Sequence, residues 1–138
     1  MFDAMSLEIV QRETEGVVIL DVNGRLTVGA SATTLRDYSR ELAAAGKINV
    51  ILNLAEVDYI DSTGLGSLVV AYTTLRKAGG RLALLNLHRR NIELLVLTKL
   101  TTVFELFDDE HNAVNSFFPN REIKRFDILS FVREQNRD

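Results

Sequence analysis

The chain of 138 residues has no cysteine and no tryptophan, one proline and two histidines. Without cysteine it can build neither a disulfide framework nor a thiolate metal site. That suits a reducing compartment, and a cytoplasmic location is the expectation. No run approaches the ~18 apolar residues that a membrane-spanning helix needs, so no association with a membrane is expected. The opening residues, Met1-Phe2-Asp3-Ala4-Met5, lack a basic segment followed by an apolar one. No secretory signal is therefore expected. The formal net charge is −3, which gives no overall attraction to nucleic acid or to an anionic surface. Neither His88 nor His111 has a metal-ligand partner at a recognisable spacing. No nucleophile–His–acid set can be assembled. The expectation is a non-enzymatic protein without metal or cofactor. The basic residues Arg76, Lys77, Arg81, His88, Arg89 and Arg90 could gather into a patch, but read as a solvated face.

What is present points to one globular domain. The composition is 46% hydrophobic, enough for a single core at this length. Leu7, Ile9 and Val17 to Val22 read as two strands around the turn Glu13-Thr14-Glu15-Gly16. Asn23-Gly24 is a second turn signal, a hairpin or, better, a bulge or bend, because a helical pattern follows soon after. Leu35, Tyr38 and Leu42 form one face of a helix over Ala30 to Ala45, with Gly46 as its stop. Ile48 to Leu54 has the unbroken apolar character of a central strand, and Val57 to Ile60 reads as a short second one. A helix over Leu65 to Ala78 ends at Gly79-Gly80. Arg81 to Leu87 is another interior strand, Asn91 to Leu97 a third helix and Val103 to Phe107 a short strand. A last short helix spans Asp109 to Phe117, with Asp108 or Asp109 at its cap. Strands alternating with helices imply a largely parallel sheet, and the opening hairpin makes it mixed. Beyond Pro119-Asn120, the residues Ile123, Phe126, Leu129 and Val132 recur at helical spacing, with Ile128 and Phe131 widening the apolar face. Such a stripe docks on its own domain, on a second copy or over a partner site. Intramolecular packing is the commonest of these.

The chemistry converges on Asp61-Ser62-Thr63-Gly64-Leu65-Gly66, where a strand hands over to a helix. The first amides of a helix have no internal partner, and its dipole favours negative charge there. Either Asp61 or Ser62 could cap the helix. Ser62 is also placed where a phosphate would be tolerated. No Gly-Lys-Ser/Thr follows, so this is not a nucleoside-triphosphate loop. Leu65, Leu68 and Val69 are expected to divide between the core and an apolar rim that suits a docking partner.

The stretch Tyr59-Ile60-Asp61-Ser62-Thr63-Gly64-Leu65-Gly66, followed by Leu68-Val69-Val70-Ala71-Tyr72, resembles the phosphorylation loop of the STAS domain, most closely that of bacterial anti-sigma factor antagonists. Gly24-Arg25-Leu26, Gly79-Gly80 and Thr98-Lys99-Leu100 with Val103-Phe104 fit the same pattern. The resemblance covers about Ser6 to Phe118. It implies an α/β fold: a single STAS-like domain over 1–118, with a mixed sheet of four to five strands and helices mainly on one side. Outside the resemblance, residues 119–138 are expected to form a partly helical extension. It implies that Ser62 is the phosphoacceptor, with Thr63 a minor alternative. Asp61, Thr63, Gly64, Leu65, Gly66, Arg25 and Thr27 would form the partner-binding loop, with Ser31 nearby. Thr27 stands where the family often has an acid. The implied function is a binding switch. The unmodified chain would bind an anti-sigma factor with serine kinase activity and free a sigma factor. Phosphorylation would end that binding, and a serine phosphatase would reset it. The expected state is a monomer or weak homodimer. A scaffold or accessory subunit that is never phosphorylated, or a small-ligand sensor, are the alternatives.

Overall fold

In the computed structural model, which describes residues 7–135, β1 (Glu8–Thr14) and β2 (Val17–Leu26) form an antiparallel hairpin. Its two-residue turn, Glu15-Gly16, has positive φ at both positions, as the tight turns that match strand twist require. The chain continues through α1 (Ala30–Ala44), β3 (Asn49–Ile60), α2 (Ser62–Lys77), β4 (Arg81–Leu85) and α3 (Arg89–Leu97). A 3-10 turn at Leu100–Thr102, β5 (Glu105–Phe107), α4 (Glu110–Asn115) and α5 (Ile128–Gln135) complete it. The sheet order is β1-β2-β3-β4-β5, and every pair after the first is parallel.

The two faces of the sheet bury separate sets of side chains. On one, Leu20, Leu52 and Leu84 meet Leu35 and Leu42 of α1, Leu65, Leu68 and Leu75 of α2 and Leu95 of α3. On the other, Ile19, Ile51, Ala83 and Phe107 meet Ala113 and Val114 of α4. Helices thus lie mainly on one side of a mixed α/β sheet. Ile51, Ala83, Leu84 and Leu85 are fully buried, so the central strands are apolar in both directions. Arg12 secures the thinner face. It donates to both oxygens of Asp21 and both of Glu110, tying β1 to β2 and to α4.

Ile48 to Leu54 and Val57 to Ile60, which read as two strands, join in one, β3 over Asn49–Ile60. The pairing of β3 with β2 slips by one residue between Asp21 and Asn23 and again between Gly24 and Leu26. The bulges absorb the polar interruption without ending the strand. Arg81 begins a strand shorter than expected, because Asn86 turns into the left-handed region. Arg81 also leaves the supposed basic patch: it bonds Glu105 and the Ser116 carbonyl and stacks on Phe117. The expected strand from Val103 is shortened to Glu105–Phe107 by the 3-10 turn before it.

The C-terminal segment docks on its own domain, but only its end is helical. Ile123 packs against the α4 face and Phe126 and Ile128 against the opposite core. Between them the chain crosses the edge of β5, where the Phe126 amide donates to the Leu106 carbonyl at 2.9 Å. Pairing at this edge competes with helix, so the helical run starts at Ile128 rather than Ile123. Asp127 caps it through the Ser130 amide and hydroxyl, and Phe131 is buried.

Candidate functional site

The two bulges lengthen β3 relative to β2, so that Ile60 lies opposite Leu26 and Asp61 follows above the sheet. The Asp61 amide donates to the Leu26 carbonyl at 3.1 Å. Its carboxylate accepts the Gly64 amide at 2.7 Å through Oδ1 and the Val28 amide at 3.0 Å through Oδ2. Asp61 is therefore the N-cap of α2, and it also fastens the β2–α1 loop to the helix start. Ser62 is left as the first helical residue, with an exposed side chain, as has Thr63 beside it.

Gly64 is buried where the loops cross: a Cβ there would lie 1.9 Å from the Leu26 carbonyl oxygen. Gly66 is exposed, with nothing near its Cβ position. Leu65 and Leu68 belong wholly to the core, so neither forms a rim. The apolar rim beside the loop comes instead from Val28, 64% exposed, and Val70, 37% exposed. The sequence held a signal for Val70. Counting the helix from Leu65, the core stripe is Leu65, Leu68, Ala71 and Leu75, and position 70 falls off it. For Val28, a single apolar residue in a turn, there was none.

The second loop differs from expectation. Thr27 is 6% exposed and does not present its side chain to a partner. Its amide donates to Ser31 Oγ at 2.8 Å, and that hydroxyl donates back to the Thr27 carbonyl at 2.9 Å. The pair stiffens the turn from inside, and Ser31 is fully buried. Gly29 precedes α1 as its cap. Arg25 is exposed on the flank, with Nε 3.9 Å from Asp58. It shares a shallow polar cleft with Asn23, Glu56 and His88. A second groove opens beside Thr63, between α1 and α2, lined by Ala32, Arg36, Gly66 and Val70. The structure thus gathers Asp61, Ser62, Thr63, Gly66, Val28 and Val70 at one surface. It places Gly64, Leu65 and Thr27 beneath.

Among the described residues, no group of three or more His, Asp or Glu side chains could hold a metal ion. None of their helices is long and apolar enough to cross a membrane. What the loop offers is a hydroxyl at the positive end of a 16-residue helix, on an apolar-rimmed surface.

Such a fold, with an exposed hydroxyl where a parallel strand feeds a helix, is a mixed-sheet α/β domain. The chain belongs to the STAS domain family, which it matches over residues 8–113. It is 32% identical over 102 residues to the anti-sigma-B factor antagonist of Bacillus subtilis (strain 168), covering 74% of this chain and 92% of that one. Its fold is similar to the crystal structure of an anti-sigma factor antagonist from Mycobacterium paratuberculosis. The TM-score is 0.72 at 21% identity, over 84% of this chain and 97% of that one. It is similar also to the Bacillus cell fate determinant SpoIIAA in its phosphorylated form. There the TM-score is 0.61 at 20% identity, over 80% of this chain and 99% of that one.

Proposed function

We propose that this protein is an anti-sigma factor antagonist controlled by phosphorylation of Ser62. The observation that carries the reading is the division of labour at the start of α2. Asp61 does the capping, and Ser62 stands exposed beside it. A hydroxyl not needed to hold the helix can be modified without unfolding it. The kinship to an anti-sigma-B factor antagonist supports an anti-sigma factor as the partner class, and the reading adds that this factor carries serine kinase activity. Unmodified, the chain binds that factor and frees a sigma factor. The kinase transfers phosphate from ATP to the Ser62 hydroxyl, binding ends, and a serine phosphatase restores the hydroxyl. ATP and metal ions belong to those partners. The switch unit is residues 1–118 and the extension 119–138, in a cytoplasmic monomer or weak homodimer.

The energetics suit a switch that leaves the fold in place. A phosphate adds roughly −1.5 to −2 charges and three strong acceptors. The α2 dipole offsets part of that charge within the domain. A partner face closed over Val28, Val70 and a neutral hydroxyl has no such compensation and must desolvate a dianion. A loss of ~3 kcal/mol weakens binding more than a hundredfold.

The test is intact-mass analysis of the protein from its native cells, followed by fragment mapping. One added phosphate located on Ser62, absent from the Ser62→Ala protein, is the expected result. Unmodified protein across growth and stress conditions would overturn the switch and favour an unphosphorylated scaffold.

A further inference from the structure

β4 ends at Leu85, opposite Asn53 of β3. The upper part of β3, from Ala55 to Ile60, therefore has β2 on one side and no strand on the other. Its pairing with β2 is interrupted by both bulges. This weakly paired ribbon leads directly into Asp61 and Ser62. On its open side, the first turn of α3 takes the place of a strand. His88 Nε2 lies 2.7 Å from the Ala55 carbonyl oxygen. Asn91 Nδ2 donates to the Val57 carbonyl at 3.0 Å. Asn91 is 1% exposed, and its Oδ1 is buried without a partner. A lone buried amide with one unsatisfied end is costly, so its single bond to β3 holds a place that an apolar residue could fill more cheaply.

The same turn faces α5. The Arg89 guanidinium lies 5.3 Å from the Phe131 ring centroid and 4.0 Å from Glu134. Phe131, 8% exposed, meets the Phe126 ring at a tilt, centroids 5.9 Å apart. Contacts thus run without a break from the C-terminal helix through the α3 turn to the β3 carbonyls below Ser62.

We propose that His88 and Asn91 are positioning residues for the Ser62 loop, and that α5, through Phe131 and Arg89, holds them in register. The functional meaning rests on Ser62 as phosphoacceptor; the positioning itself does not. A ligand or partner that lifts α5 would then loosen the loop and change how well a kinase engages it.

Amide hydrogen exchange on the full-length protein tests this without a kinase. His88→Ala removes the bond to Ala55, and His88→Gln keeps an N–H donor at that place. The expected result for His88→Ala is about tenfold faster exchange at the amides of Val57 to Gly66, with Val50 to Leu52 unchanged. His88→Gln should restore much of the protection. Phe131→Ala should produce a smaller rise at the same amides. A uniform rise across the core, or none at Val57 to Gly66, would overturn the clamp. A Phe131→Ala effect confined to α5 would overturn the link to the tail. Phosphorylation of the same variants by the cognate kinase is read separately. If Ser62 is never phosphorylated, the functional reading fails and the exchange result still decides the clamp.

Discussion

Gly64 sits against the carbonyl of Leu26 so closely that a Cβ at position 64 would lie 1.9 Å from that oxygen. The end of β2 and the first turn of α2 meet at this point, and the Asp61 amide bonds the same carbonyl. The neighbouring Gly66 has open space around it. Two glycines in one short motif therefore have different physical reasons to be there. Gly64→Ala should cost more than about 3 kcal/mol, because the obstruction is backbone that cannot swing aside. The midpoint of thermal unfolding should fall by roughly 10 °C or more. Gly66→Ala should hold stability or raise it by up to ~1 kcal/mol through helix propensity. Equal melting points for the two variants would contradict the crossing geometry.

Asp61 holds two loops with one carboxylate. Asparagine caps helices well, but it offers one acceptor where two amides converge. Its amide group would face a backbone N–H donor. Asp61→Asn should cost ~1–2 kcal/mol and Asp61→Ala somewhat more, measured as a shift of the urea midpoint without a change in slope. A neutral Asp61→Asn would mean that only one of the two bonds matters for stability.

How far the sequence disclosed this arrangement depends on the range of the interaction. The strand-to-helix register around Ser62 was legible because apolar periodicity and the Asp-Ser-Thr-Gly string are local. So was the irregularity at Asn23-Gly24, which lies between the two register slips where β3 gains its extra residues. The fate of Thr27 was not legible. A threonine in a turn gives no local sign that Ser31 will draw it inward. The continuity of β3 through Ala55 and Glu56 was hidden as well, because the partners that sustain it come from distant residues: β2 on one side and His88 and Asn91 on the other. In the tail, helical apolar spacing from Ile123 points to a partly helical extension but does not show where the helix begins. The edge of β5, unseen in the periodicity, takes the first part as extended chain.

Ser62→Asp tests the proposed switch at its source. An acid at the first helical position is favourable to the dipole by ~0.3–1 kcal/mol, so the folded domain should melt within a few degrees of wild type. Binding to the anti-sigma factor should weaken by more than about a hundredfold, and Ser62→Ala should bind as wild type does while resisting modification. Titration calorimetry of the three proteins separates these outcomes. Undiminished binding by Ser62→Asp would remove the electrostatic basis of the switch.

The Arg12 network predicts an acid limb in stability. Hydrogen bonds from Arg12 hold the carboxyls of Asp21 and Glu110 below their usual range, against a smaller opposing effect of burial, and Asn53 adds a further bond to Asp21. A carboxyl whose pKa is lower folded than unfolded contributes stability above its unfolded pKa. That contribution is lost as pH falls through the folded one. The window therefore begins near the ordinary carboxylate values, 3.8 for Asp21 and 4.5 for Glu110, and extends below them. Because these side chains are 35–41% exposed, solvent screening keeps the effect modest. Arg12→Ala should be less stable than wild type at pH 7. Its urea midpoint should also fall less steeply between about pH 4.5 and pH 2, since there is less depressed titration left to lose. Because Arg12 bridges β1 to α4, α4 amides should exchange faster in that variant at neutral pH. Parallel acid limbs for the two proteins would show that other carboxylates dominate and that the Arg12 bridge contributes little.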